Sequence, residues 1–164
     1  MLIHPIDPVY DASSRILLLG SFPSPKSREM GFPYGHPQNR FWPVLAALMG
    51  EETPMGAVHR REFAIRHYIA LWDVLHACEI TGASDASIQN PQPNDIRPIL
   101  EAADIREIYT TGSTAYRLYK KYIFPQTKRE AVALPSTSPA NARMRLGDLV
   151  EAYRAILPAL IGSD

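Results

Sequence analysis

Arg15–Gly20, reading RILLLG, constrains this chain more than any other stretch. Four consecutive apolar residues closing on a glycine leave no polar face. A strand built from them is buried on both sides, as strands of parallel sheets are. The rest of the chain supplies companions. Tyr68–Leu75 (YIALWDVL), Arg106–Thr111 (REIYTT) and Ala131–Leu134 read as three further strands. Between them lie helices. One opens after Asn39, carries Pro43 near its first turn and an apolar run from Phe41 to Met49, and stops at Gly50. Others are expected over Pro54–His67, from an Asp95 cap through Ala103, over Ser113–Tyr122 and over Leu146–Ile161. The order β-α-α-β-α-β-α-β-α predicts an α/β fold, a parallel sheet sandwiched by helices with right-handed crossovers. Residues 21–38, 76–95 and 135–143 are expected to be loops. No repeat or linker interrupts the pattern, so one domain over 1–164 is expected.

Composition removes several function classes. Apolar residues make up 46% and charged residues 21%, which excludes a disordered chain, a collagen and a coiled coil. Seventeen basic and seventeen acidic residues cancel, so a strongly basic DNA-coating protein is excluded. A local basic face is not: residues 117–129 hold Arg117, Lys120, Lys121, Lys128 and Arg129 with no acid. The lone Cys78 permits no internal disulfide, four-Cys zinc site or Cys-ligated iron–sulfur cluster, and fits a reducing cytoplasm. The five histidines show neither HxH nor HExxH spacing, so no metal site is expected. No stretch approaches the ~18 apolar residues of a membrane span, and residues 1–15 carry no signal pattern. A cytoplasmic protein is expected.

Ligands of parallel sheets bind at the carboxyl ends of the strands. Loops 21–38 and 135–143 both follow strands and belong at that edge. Gly20–Ser24 (GSFPS) has neither the spacing of a P-loop nor a GxGxxG, and the chain has no GxSxG elbow. Gly35–Trp42 (GHPQNRFW), next to Tyr34, brings an imidazole, a carboxamide and a guanidinium to the same edge. Taken singly, Asn39 is also a plain helix cap, Phe41 and Trp42 core, and Arg40 a surface charge. Pro135–Arg143 (PSTSPANAR) offers three hydroxyls in a rigid turn, suited to phosphate oxygens or to an ordinary surface loop.

GSFPS, then Tyr34 with GHPQNRFW, then Leu134–Asn141 (LPSTSPAN), in this order and spacing, resemble the uracil-DNA glycosylase superfamily, most closely its hypoxanthine-DNA glycosylase branch. The resemblance covers nearly the whole chain. It implies a three-layer α/β/α sandwich with a four-stranded parallel sheet. It implies a monofunctional enzyme that cleaves the N-glycosidic bond of a flipped deaminated base, chiefly hypoxanthine, without metal or organic cofactor. A uracil or mismatch glycosylase and a catalytically silent lesion or single-strand binder are the alternatives.

The resemblance also implies roles. Phe22 stands where several relatives carry an Asp or Asn, so the catalytic amide falls to Asn39, its oxygen accepting from water and its NH2 donating to base or water. Phe22 and Tyr34 become walls for the base, and Thr111 and Ser136 become base contacts. Thr111 replaces a carboxamide common in relatives. Ser24, Arg40, Ser138, Pro139, Asn141, Arg143, Lys120 and Lys121 become DNA contacts. The expected partner is DNA containing deaminated bases, the expected state a monomer, with no membrane.

Overall fold

The computed structural model describes residues 1–161, so the last three residues of the expected domain lie outside it. In chain order it runs β1 (Leu2–Ile3), β2 (Ile16–Gly20), α1 (Pro25–Met30), α2 (Phe41–Met49), α3 (Gly56–Arg66), β3 (Ile69–Asp73) and β4 (Leu75–Glu79). It continues through β5 (Gln89–Pro93), α4 (Arg97–Ala102), β6 (Glu107–Thr111), α5 (Ser113–Leu118), α6 (Phe124–Thr127), β7 (Ala131–Leu134), α7 (Leu146–Tyr153) and α8 (Leu157–Ile161).

The RILLLG strand is β2, and it sits inside a four-stranded parallel sheet of order β3-β2-β6-β7. Leu18 lies opposite Leu71 on one side and Tyr109 on the other. Successive side chains point to opposite faces, and this feeds two cores. Ile16 and Leu18 join the core beneath α2, α3, α7 and α8, with Trp42, Phe63 and Tyr153. Leu17 and Leu19 join the core beneath α4 and α5, with Ile99 and Leu118. This is the three-layer α/β/α sandwich expected from the sequence.

Four segments differ from the sequence reading. Residues 21–38 are not all loop. Ser24 caps α1, its Oγ accepting from the Ser27 N–H at 3.1 Å, and Pro25 opens the helix, where a missing N–H costs nothing. The stretch Tyr68–Leu75 is not one strand. It turns at Val74, whose N–H bonds to the Gly20 carbonyl at 2.7 Å, and Leu75 then starts β4. The supposed loop 76–95 supplies β4 and β5, which pair antiparallel and join β1 in a second sheet of order β1-β4-β5. The closing helix breaks at Arg154–Ile156 into a tighter turn. Pro158 follows in α8 and has no N–H to bond back to the Arg154 carbonyl. Among the described residues no helix is long and apolar enough to cross a membrane.

Candidate active site

The carboxyl ends of β2, β3, β6 and β7 open into a small solvent-open cleft of about 120 Å³, at the strand edge where ligands of parallel sheets bind. Gly20 ends β2 at its floor. A Cβ there would collide with Asp73 Oδ1 and stand 3.3 Å from the Tyr34 hydroxyl. Only glycine lets these two side chains approach the strand end.

Asn39 lines the cleft with its amide orientation fixed. The backbone N–H of Phe41 donates to Asn39 Oδ1 at 2.9 Å, and the Thr137 hydroxyl donates to the same oxygen at 2.8 Å. A backbone N–H can only donate, so the accepting atom is the oxygen. Both of its lone pairs are engaged. The expected role of that oxygen as an acceptor from water is therefore corrected: the amide offers the cleft its NH2, a donor. The side chain that caps through the turn is Asn39, although the helix boundary falls at Arg40.

Tyr34 and Thr111 do meet in the cleft. The Tyr34 ring stacks on Phe41 at 3.7 Å between centroids, and its hydroxyl bonds to Thr111 Oγ1 at 2.8 Å. One face of the ring is thus already covered. Burial first, then the charge of Asp73, push the Tyr34 pKa well above its ordinary value, so the phenol stays neutral. Phe22 is buried edge-on against His4, 5.8 Å between centroids, and forms another wall. Ser136 lines the cleft while its Oγ accepts from the Ser138 N–H at 3.1 Å.

The expected DNA contacts divide. Arg40 is turned inward: it donates to the carbonyls of Ser138 at 2.8 Å, Asn141 at 3.0 Å, Thr137 at 3.4 Å and, closest, Met144. All three of its nitrogens are spent on folding loop 135–144, so its expected place as a phosphate contact is corrected to that of a staple. Asn141 donates to the Ser136 carbonyl at 2.9 Å in the same loop. Ser138 Oγ accepts from the Ala140 N–H at 3.2 Å, and Ser24 is the α1 cap. Pro139 and Arg143 are exposed on the loop. Lys120 and Lys121 are exposed on a wide turn over Tyr119–Ile123, packed above the Tyr116 and Tyr122 rings. They do not line the cleft. The basic run leads away from it: Arg129 donates to the Ile105 carbonyl, at the opposite end of β6.

Asp73, Asp85 and Thr137 line the cleft without a counterpart among the expected residues, and His4 holds Asp73 from outside the cleft lining. Asp73 ends β3, and its Oδ2 is 2.7 Å from His4 Nε2. The Ile6 N–H donates to His4 Nδ1 at 3.1 Å, so Nε2 carries the proton and donates to Asp73. Asp85, between β4 and β5, accepts from the Ser21 hydroxyl at 2.8 Å. Burial of its carboxyl pushes the pKa up, and the Ser21 bond partly offsets this. Thr137 holds Asn39. The edge rule that picked out loop 21–38 also covers Asp73, as the last residue of LWD. Asp85 sits in a polar run that looks like any surface loop, and His4 carries no local signal. Among the described residues no three His, Cys, Asp or Glu side chains gather as a metal site.

The model of the uracil DNA glycosylase superfamily matches residues 8–160. A hypoxanthine DNA glycosylase of Methanosarcina acetivorans is 33% identical over 139 residues, 82% of this chain and 85% of that protein. A hypoxanthine DNA glycosylase of Methanosarcina barkeri is 35% identical over 137 residues, 83% of this chain and 86% of that protein. A solution NMR structure of a candidate uracil DNA glycosylase from Methanosarcina acetivorans superposes with a TM-score of 0.77 at 29% identity, covering 95% of this chain and 99% of that one.

Proposed function

The chain belongs to the uracil DNA glycosylase superfamily, and from that premise we propose that it hydrolyses the N-glycosidic bond of hypoxanthine in DNA. The observation that carries the reading is the fixed polarity of Asn39, with two donors on its oxygen and its NH2 left to the cleft. The base must leave the helix to reach such a cleft. Phe22 and the uncovered part of Tyr34 flank it, and stacking on aromatic rings is worth ~1–3 kcal/mol per base. As the bond from C1′ to N9 breaks, the electron pair stays on the base. The Asn39 NH2 donates to the charge that develops there, a preorganised donor that needs no rearrangement. Water adds its oxygen to C1′, releases a proton to solvent and leaves an abasic sugar. Among the described residues no Lys lines the cleft, so no amine is placed for a Schiff base, in keeping with a monofunctional glycosylase.

DNA is the substrate, and deaminated bases within it are the proposed targets. The whole chain is proposed to act as one monomeric glycosylase domain in the cytoplasm, a setting that suits the free, buried Cys78. Single-turnover release from oligonucleotides carrying inosine or uracil, paired with the same base, tests the reading. Hypoxanthine is expected to leave faster. Asn39→Ala is expected to slow release ~10²–10³-fold, as loss of a transition-state donor does. A uracil rate equal to or above the inosine rate moves the assignment to uracil. Near-native release by Asn39→Ala removes Asn39 from the chemistry.

A further inference from the structure

The cleft holds a carboxylate that the reaction described above does not use. The Asp73 side chain is only 9% exposed, and its Oδ2 is held by His4. The other oxygen, Oδ1, lies over Gly20 beside the Tyr34 hydroxyl, at the floor of the cleft, and makes no hydrogen bond among the described residues. We infer that Asp73 reads the base, accepting through Oδ1 from the ring N–H that deamination creates.

The argument is one of donor and acceptor. A carboxylate only accepts. Adenine presents a bare ring nitrogen at position 1, a lone pair facing a lone pair. Hypoxanthine presents N1–H beside the O6 carbonyl, a donor beside an acceptor. The cleft offers the matching pair: Oδ1 of Asp73 accepts, and the NH2 of Asn39 donates. Uracil carries the same edge as N3–H beside a carbonyl. The device therefore separates deaminated bases from adenine and cytosine rather than purine from pyrimidine. Guanine shares the N1–H, so its exclusion rests on its extra amino group and not on Asp73.

His4 makes the device directional. Its Nδ1 is occupied by the Ile6 N–H, so Nε2–H always points at residue 73. In Asp73→Asn the amide oxygen must face His4, which turns the NH2 into the cleft. The variant reverses the polarity at the base edge while filling the same space.

The inference rests on the proposed glycosylase reading, and the test separates the two. Affinities are measured for the full chain on duplexes bearing uncleavable 2′-fluoroarabino nucleosides of inosine, 1-deazainosine (C–H in place of N1–H) and adenosine. The protein is expected to bind inosine ~10–100-fold more tightly than 1-deazainosine, the range of a hydrogen bond to a charged acceptor. In Asp73→Ala that ratio should fall to near one. In Asp73→Asn the inosine affinity should fall and the preference over adenosine should narrow. If Asp73→Ala does not fold, Asp73→Asn decides alone, because it keeps the His4 contact. An inosine to 1-deazainosine ratio that is the same in all folded variants overturns the role, and marks Asp73 as a structural partner of His4. Cleavable inosine and uracil duplexes run alongside. Release of uracil in preference to hypoxanthine sinks the proposed function, and the same cycle with uridine and 3-deazauridine then decides Asp73.

Discussion

Two sheets meet at the cleft, and they contribute to it by different means. The parallel sheet is built around an apolar central strand, with all five residues of β2 buried. It sets the cleft's position by topology alone: β2, β3 and β6 end side by side and deliver Gly20, Asp73 and Thr111. The antiparallel sheet is short and largely exposed, with β5 reading QNPQP and shifts of register against β4. Its contribution to a core is confined to β4, through Leu75 and Cys78. What it contributes is polar chemistry: His4 follows β1 and fixes Asp73, and Asp85 precedes β5 and bonds Ser21. One sheet fixes where the site lies, and the other tunes the charges in it.

The sharpest way to break this contrast is to remove apolar volume from each sheet in turn. Leu18 is fully buried in the middle of the parallel sheet. Leu18→Ala is expected to cost ~2–5 kcal/mol of folding stability, through lost transfer energy and a cavity. Ile3 in the antiparallel sheet is 66% exposed, and Ile3→Ala is expected to stay within ~0.5 kcal/mol. Urea unfolding midpoints measure both. Comparable losses would mean that the small sheet carries core stability after all.

The same contrast explains what was legible in the sequence. RILLLG and YIALW announce themselves because burial on both faces favours uninterrupted apolar residues, and EIYTT by its β-branched and aromatic residues. Strand order and edge then follow from chirality and connectivity, and the loops of the site follow from the edge. QNPQP announces nothing: its pairing is set by partners far away in the chain, Leu75 to Glu79, and not by its own composition. Ser24-Pro25 is a legible helix start hidden by a proline-rich surrounding. The polarity of Asn39 was not legible, because it depends on Thr137, ninety-eight positions away. Arg40 misled for the same reason: a charge beside a candidate site reads as a phosphate contact, yet its partners are carbonyls of a loop about a hundred residues on.

That long-range hold gives the next test. Thr137 is 2% exposed and follows β7, so Thr137→Val keeps the packing and removes one donor from Asn39 Oδ1. The Phe41 N–H remains, so the amide is loosened and not released. One neutral hydrogen bond is worth about 0.5–1.5 kcal/mol, and base release is expected to slow by the corresponding ~2–12-fold. Substrate affinity should change less than the single-turnover rate. An unchanged rate would show that the Phe41 N–H alone fixes the amide.

The smallest effect is expected in the antiparallel half, and it turns on the sign of a titration. Burial raises the Asp85 carboxyl pKa in the folded state above its value in the unfolded chain, where an Asp sits near 3.9. Between those two values the folded state binds more protons than the unfolded one, so stability falls as pH rises through that window. The favourable contribution is complete below the unfolded value and lost above the folded one. Asp85→Asn keeps an acceptor for the Ser21 hydroxyl but cannot titrate. Relative to the wild type, the variant should gain stability as pH climbs from below 4 through the raised value, then hold a constant margin to neutrality. Asp85 is exposed as a residue, so that margin should not exceed ~0.5 kcal/mol. Urea midpoints of both proteins at stepped pH read the difference directly. A margin that shrinks as pH rises would mean that Arg117, whose charge also reaches Asp85, outweighs burial and holds the carboxylate ionised. The small sheet would then present a fixed negative charge at the cleft, where burial makes it a group that can be neutralised.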